Sequence, residues 1–540
     1  MKTTRFPLYI IIVAAISAFS LTGTQDIHAR EVLIPKSDSA AIKLLPGHFL
    51  LEPEYEYRDL AKRQGIVTWD VSLYGSGASH GMPFWAGANR RGLVPENLSS
   101  GGNRNITGFG NNRGGMSGLL TAGAEFAYLT KPEIVLSAGL SVAGYGVMDN
   151  WDGMLDRLYF GISWKKLHLD FGMKDRYYDY NGLSLTGGNL AYSGNARNLP
   201  GYNLSTDFIY IPYTNRIIGF KANFADYMML DNRYIDKAKV HNESLYLKIT
   251  PARRFSLTVG LEMWSQWSGT SPKYGKQPGS LNDYIRVVFG MSGGDDATKS
   301  DQINVLGNHL GRELIRLDWR ADDFTVTFQH DIPFDDKSGM RFQNFPDGVN
   351  TLNFSFREKD RWVSDILVEY VNTKWQSGPH HDNTTDPEHK DEPYHIYGGR
   401  DNYFNNGEYQ SGWTYYGKTI GLPLFTPMPA GEDGKVLGVC NNRLSAWHFG
   451  IRGKAARLIP YKFLFTYSRN FGKYAQSISL FDSVPQQFSL ALECEVPRLG
   501  RNTPLSLGIG LYGDFGEMYQ DSFGLSIRLS YAGRSVFGRR

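Results

Sequence analysis

Two cysteines in 540 residues are too few for a disulfide framework. Cys440 and Cys494 could form one bond in an oxidising compartment, and no more. An excess of either charge is missing too. Lys and Arg number 57 against 54 Asp and Glu, a net charge of +3, which makes no electrostatic case for nucleic acid. Beyond the N-terminus there is no run of about 18 apolar residues, so no sequence for a transmembrane helix. Neither a G-x-S-x-G elbow nor a phosphate loop occurs, and Ser193 and Ser468 sit in other contexts. No cofactor, metal or catalytic group is expected.

Glycine and aromatic residues are what the chain has instead. Gly 60, Tyr 32, Phe 31 and Trp 11 are unusual for a soluble multi-domain enzyme. The N-terminus carries Lys2 and Arg5, an apolar run from Phe6 to Phe19, then small and polar residues. That order reads as a secretory signal peptide over 1–29, with cleavage after Ser20, Gly23 or Ala29. Residues 30–65 bear mixed charges and a helical pattern, and are expected to lie on the periplasmic side.

From Ile66 to the C-terminus the chain alternates with period two. In GLLTAGAEFAYL, Leu120, Ala122, Ala124, Phe126 and Tyr128 share a face opposite Thr121, Gly123 and Glu125. RLYFGISWKKLHLDFGMKD reads as two strands joined by a tight turn at Lys165 and Lys166. Short turns alternate with long polar excursions such as Pro83–Met116, Gly182–Asn203 and Gln376–Tyr403. No propeller-like repeat is present. Strands of about ten residues, alternating turn lengths and aromatics near strand ends (Tyr128, Trp164, Tyr246, Trp264, Trp267, Tyr370, Trp375) fit an outer-membrane β-barrel. The expected fold is therefore all-β, about eighteen antiparallel strands over residues 66–540, with inward-folded loops.

SFGLSIRLSY near the end sets Phe523, Leu525, Ile527, Leu529 and Tyr531 against Ser526, Arg528 and Ser530, one face for lipid and one for a lumen. The tail AGRSVFGRR after it is atypical of a closing strand. Asp170, Glu262, Glu313, Asp318 and Glu369 fall at expected lumen positions, with Arg312, Arg316 and Arg528 as partners. His168, His309, His330 and His448 lie on strands or their ends, as lumen or interface residues rather than bases. His380, His381, His389 and His395 stand among Asp382, Asp386, Glu388 and Asp391 without ligand spacing, and read as a solvated loop.

The stretch DNYFNNGEYQSGWTYYGKTIGLPL, Asp401–Leu424, combines flat aromatic faces with amide donors and acceptors, which suits sugar rings. The same composition also suits a loop packed into the lumen as a plug. This segment closely resembles the signature region of the capsule assembly Wzi family, especially versions from Bacteroidetes. Ser193, Asn195, Ala196, Arg197 and Pro200 resemble its Ser-x-Asn-Ala-Arg-x-x-Pro segment. Leu306, Gly307, Asn308 and His309 resemble a second segment, and Glu369, Tyr370, Thr373, Gln376, Ser377 and Gly378 a third.

The resemblance implies an eighteen-stranded outer-membrane barrel with a blocked lumen. It implies a lectin-like role in holding capsular or exopolysaccharide at the cell surface, without catalysis. From side-chain chemistry, Tyr403, Tyr409, Trp413 and Tyr415 are expected to stack on sugar rings. Arg400, Asp401, Asn402, Asn405, Asn406 and, separately, Arg197 are expected to bind hydroxyls or carboxylates. Outer-membrane lipid and lipopolysaccharide are expected partners, the capsule export machinery a further candidate, and the chain a monomer. The rival reading is a porin for oligosaccharides.

Overall fold

The computed structural model describes residues 64–95, 114–131, 134–147, 150–335, 342–379, 399–474, 481, 483–497, 499 and 504–538. The expected leader and almost all of the periplasmic segment lie outside these residues, as does the histidine-rich stretch 380–398. Among the described residues no helix is long and apolar enough to cross a membrane.

The strands are β1 Gln64–Ala78, β2 Gly115–Lys131, β3 Ile134–Val147, β4 Asn150–Trp164 and β5 Leu167–Met173. β6 is Gly201–Thr206 resumed by Ile209–Tyr210, since both pieces pair with the same neighbour. Then follow β7 Ile218–Met228, β8 Lys239–Ala252, β9 Phe255–Trp267, β10 Asn308–Arg320, β11 Phe324–Phe334, β12 Gly348–Phe356 and β13 Asp365–Asn372. The last are β14 Leu444–Ala455, β15 Ile459–Asn470, β16 Gln486–Val496, β17 Leu505–Gly516 and β18 Ser522–Gly538. Every strand pairs antiparallel with its sequence neighbours, and β18 pairs with β1 (Val71 opposite Tyr531), closing an eighteen-stranded barrel. Closure leaves no open edge, the condition hydrocarbon imposes on a sheet.

Alternation decides which side each residue takes. On β18 Phe523, Leu525 and Ile527 are exposed outward, while Ser526 and Arg528 are buried inside. The atypical tail is part of this strand as far as Gly538, which stands opposite Gln64, so it extends the closing seam. Expected lumen pairs form: Arg312 lies 2.9 Å from Asp331 and 3.4 Å from Glu262, and Arg316 lies 3.1 Å from Asp318. Glu313 is a correction. It stands opposite Leu261, an outward residue, and so faces away from the lumen. The aromatic girdle is also corrected in part, because Trp264 and Tyr246 point inward, where both hydrogen-bond Glu262.

Turns at one rim are short, as at Lys165–Lys166 between β4 and β5, where Lys165 takes positive φ. At the other rim lie the long connections, among them 79–114, 174–200, 268–307 and 373–443, beside short ones such as that between β3 and β4, which marks it as extracellular. Three of these excursions, 79–114, 174–200 and 373–443, send side chains into the barrel. Phe84 and Trp85 of the short helix α1, Phe84–Gly87, with Leu183, Leu190, Tyr403, Phe404 and Trp413, join Tyr74, Leu119, Leu367 and Leu464 of the wall in one core. The lumen is thus plugged by apolar packing. The wall holds the plug by hydrogen bonds: Glu369 accepts from Ser184 Oγ (2.6 Å), Leu185 N (2.8 Å) and Thr351 Oγ1 (3.0 Å). His448 Nε2 contacts Leu183 O at 2.6 Å, and Phe84 N donates to Asp514 at 2.8 Å.

Candidate functional site

The recognisable sequence segments meet inside the plug. Ser193 Oγ donates to Gly421 O (2.6 Å), Ser193 N to Ile420 O (2.8 Å) and Leu422 N to Leu190 O (3.0 Å). Asn195 Nδ2 donates to Thr419 O at 3.0 Å and Oγ1 at 2.9 Å, while its Oδ1 accepts from Asn89 N at 3.2 Å. Gly307 requires its glycine, since φ is +91° and a Cβ would meet Gln266 O at 2.3 Å. Gln266 in turn donates to Gly412 O at 2.8 Å. Thr373 Oγ1 and Gln376 Nε2 both donate to Asn442 O, at 2.8 and 3.1 Å. These residues have internal partners, so their role is to shape the loops.

The four aromatics expected to stack on sugars are enclosed. Tyr403 is 0% exposed, Trp413 1%, and Tyr409 and Tyr415 little more. Tyr403 OH donates to Asp347 (3.1 Å) and Tyr409 OH to Ser268 O (3.2 Å). Burial is the correction: a ring covered on both faces offers nothing to stack on. The polar candidates are engaged as well. Asp401 accepts from Ser377 Oγ at 3.0 Å, and Asn402 from Asn405 Nδ2 at 2.9 Å and Asn442 Nδ2 at 2.7 Å. Asn405 bridges to Val439 N at 2.8 Å, and Asn406 accepts the amides of Glu408 and Tyr409 as a local turn.

Arg197 and Arg400 are different. Arg400 is exposed, with Nε donating to Pro379 O at 2.5 Å. Arg197 extends from the 174–200 excursion to the extracellular mouth. Its guanidinium carbon lies 4.1 Å from the centre of the Tyr416 ring, and Nη2 donates to Tyr145 OH at 2.9 Å. Tyr145 OH reaches Asp152 at 3.3 Å. Tyr416 is 43% exposed and occupies a turn with Gly417, both at positive φ, between the paired segments Thr414–Tyr415 and Lys418–Thr419. Asp231 accepts its amide at 3.2 Å. The patch offers a planar cation, a half-open aromatic face, a phenol and a carboxylate, which together match a sugar ring bearing hydroxyls or acid groups.

Tyr416 escaped the sequence reading because its neighbour Tyr415 has the same composition. The signal was local: Tyr-Gly after an alternating run marks a turn, which puts Tyr415 inside and Tyr416 at the tip.

Among the described residues no group of three or more His, Cys, Asp or Glu side chains is placed to hold a metal. Cys440 is buried in the extracellular loops and Cys494 lies near the periplasmic end of β16, so a disulfide between them would have to bridge opposite rims.

A sequence profile of the family described as "Capsule assembly protein Wzi" matches residues 99–426. A search of curated protein sequences gives no match. Among solved structures, the chain is similar to Wzi, an Escherichia coli outer-membrane protein involved in group 1 capsule assembly and described as a carbohydrate-binding β-barrel. The two are 14% identical with a TM-score of 0.51, over 86% of this chain and 83% of the other. Pseudomonas aeruginosa OccK11 aligns at 10% identity and a TM-score of 0.42, over 87% and 96% of the chains. Acinetobacter baumannii OccAB2 aligns at 8% and 0.43, over 87% and 98%.

Proposed function

Because the chain belongs to the capsule assembly Wzi family, we propose that this outer-membrane barrel holds capsular polysaccharide at the cell surface through the mouth patch of Arg197, Tyr416, Tyr145 and Asp152, with Arg400 as an outlying cation. The observation that carries the placement is the Arg197 guanidinium 4.1 Å over a half-exposed Tyr416 ring. One such patch makes a weak contact with one or two sugar units. Repeated along a polymer that touches many barrels, weak contacts sum to retention. An acidic polysaccharide is favoured, since Arg197 and Arg400 both present cations on this side of the barrel.

Binding on this reading is non-covalent. The oligosaccharide-porin reading is less well supported, because the described lumen is filled by the plug core. The test is binding of isolated capsular polysaccharide to the purified barrel, together with capsule retention on cells whose own copy is deleted and replaced. Arg197→Ala with Tyr416→Ala should weaken polymer binding and release capsule into the medium at unchanged barrel abundance. Full retention and full binding by that variant would refute the site.

A further inference from the structure

Excursion 268–307 goes the other way from the plug. Asp226, His241, Ser265 and His309 are consecutive cross-strand partners on β7, β8, β9 and β10. Their strand neighbours Ala225, Val240, Trp264 and Leu310 belong to the lumen core, so these four point outward. On a lipid-facing wall they would be anomalous, yet His241 and Ser265 are fully buried. The excursion covers them. Its helix α2, Leu281–Val288, begins with a capping box in which Ser280 Oγ accepts from Asp283 N at 3.2 Å. Tyr284 of α2 packs edge-on against His241 (5.5 Å) and tilted against Trp267 (5.0 Å), and its OH donates to Asp226 at 2.7 Å. Val287 is buried beside Trp267 and Leu306. The polar row is thus covered by a roof laid on the outside of the barrel and hydrogen-bonded except at His241 Nε2, which lies 3.6 Å from Glu243.

The opposite face of that roof is apolar. Leu281, Ile285 and the C-cap residue Phe289 recur every fourth residue and form a single stripe. Leu281 is 76% and Phe289 73% exposed, and Ile303, at the end of the second short helix of the excursion, is 81% exposed. A helix apolar on two faces has a use for both. One covers the barrel, and the other lies beyond the upper end of the outward belt, whose exposed Leu245 is two outward positions along β8 from the covered His241, with Glu243 between them. We propose that α2 is an interfacial membrane helix, whose Leu281–Ile285–Phe289 stripe sits in the outer-leaflet lipid at the headgroup–acyl boundary beside β7–β9. Amphipathic helices of this kind lie in the interface plane with their apolar face a few ångströms into the bilayer. The barrel would thus carry a lateral lipid-binding shelf beside β7–β9, fixing its tilt and bringing the mouth close to the leaflet surface.

The test uses the full-length barrel in vesicles of lipopolysaccharide and phospholipid, with Cys440 and Cys494 replaced by Ala. Single spin labels are placed at Ile285, at Phe289 and, as a water reference, at exposed Asp296, and collisions with oxygen and with a water-soluble nickel chelate are compared. Heat-modifiable gel mobility confirms that each labelled barrel is folded. The proposal expects the oxygen-to-nickel ratio at 285 and 289 to exceed that at 296 several-fold. It is overturned if the three positions match, which puts the stripe in water. It is equally overturned if 285 and 289 are shielded from both reagents, which would mean that a protein covers them.

Discussion

Asn195 Nδ2 donates to both the carbonyl and the hydroxyl of Thr419, at 3.0 and 2.9 Å, joining the 174–200 excursion to the 373–443 excursion. With Asn89 N donating to Asn195 Oδ1, three separate loops depend on one amide side chain. Asn195→Ala leaves buried donors and acceptors unmatched and should cost about 1–3 kcal/mol. The measurement is the urea midpoint of the barrel in detergent. Polysaccharide affinity of the fraction that remains folded should be unchanged, since the side chain has no exposed surface to offer a ligand.

Tyr416 and Trp413 lie three residues apart and should fail in different ways. Tyr416→Ala removes the half-exposed ring face offered to a sugar, worth about 1 kcal/mol of binding, or roughly a five-fold weaker Kd. Its unfolding midpoint should not move. Trp413→Ala opens a cavity in the plug core and should cost about 3–5 kcal/mol of stability. Paired titrations of unfolding and of polymer binding separate the two, and a binding defect without a stability defect at Trp413 would show that the enclosed ring reaches the ligand.

Period-two alternation made the barrel legible, because lipid outside and a packed lumen inside impose opposite demands on neighbouring residues. It read Phe523 against Arg528 correctly. Where one side departs from the rule it misled: Glu313 points outward, at a position the alternating pattern assigned to the lumen. The site was less legible. A loop that plugs a barrel and a loop that binds sugar both need aromatic rings and side-chain amides, so Asp401–Leu424 fits either role by composition. Only tertiary packing distinguishes Tyr415, enclosed, from Tyr416, open. Of the residues that resemble the family segments, Ser193, Asn195, Thr373 and Gln376 tie the loops together, whereas Arg197 reaches the mouth.

Glu369 fixes the plug to β13 through two neutral donors, Ser184 Oγ and Leu185 N, and accepts a third bond from Thr351 Oγ1 of the neighbouring wall strand β12. Glu369→Ala strands all three at the junction of plug and wall. The expected cost is about 2–4 kcal/mol, concentrated where Leu183 and Leu185 enter the core. In planar bilayers the native barrel should conduct little, and this variant should show frequent openings as the plug loosens. A large steady conductance in the native protein would instead favour the porin reading.

Asp347, in the loop before β12, accepts from the amides of Trp375 (2.9 Å) and Gln376 (2.8 Å) and from Tyr403 OH (3.1 Å). Burial pushes its carboxyl up to about 6, outweighing the lowering by these donors. Asp301 and Glu408, facing each other across two outer loops, shift the same way. Burial first and then the Glu408 charge raise Asp301 to about 7. A carboxyl whose folded value lies above its unfolded value of about 4 binds more protons when folded. Its favourable contribution is complete below about pH 4 and is lost as pH rises through its folded value. The extracellular loops should therefore hold together best in mild acid and loosen toward pH 7–8. Hydrogen exchange of amides in 373–379 and 399–415, corrected for the intrinsic pH dependence of exchange, should show protection falling between pH 4 and 7. Asp347→Asn should flatten that slope for 373–379, and Glu408→Gln should flatten it around 408. Protection that rises with pH across this range would contradict the sign.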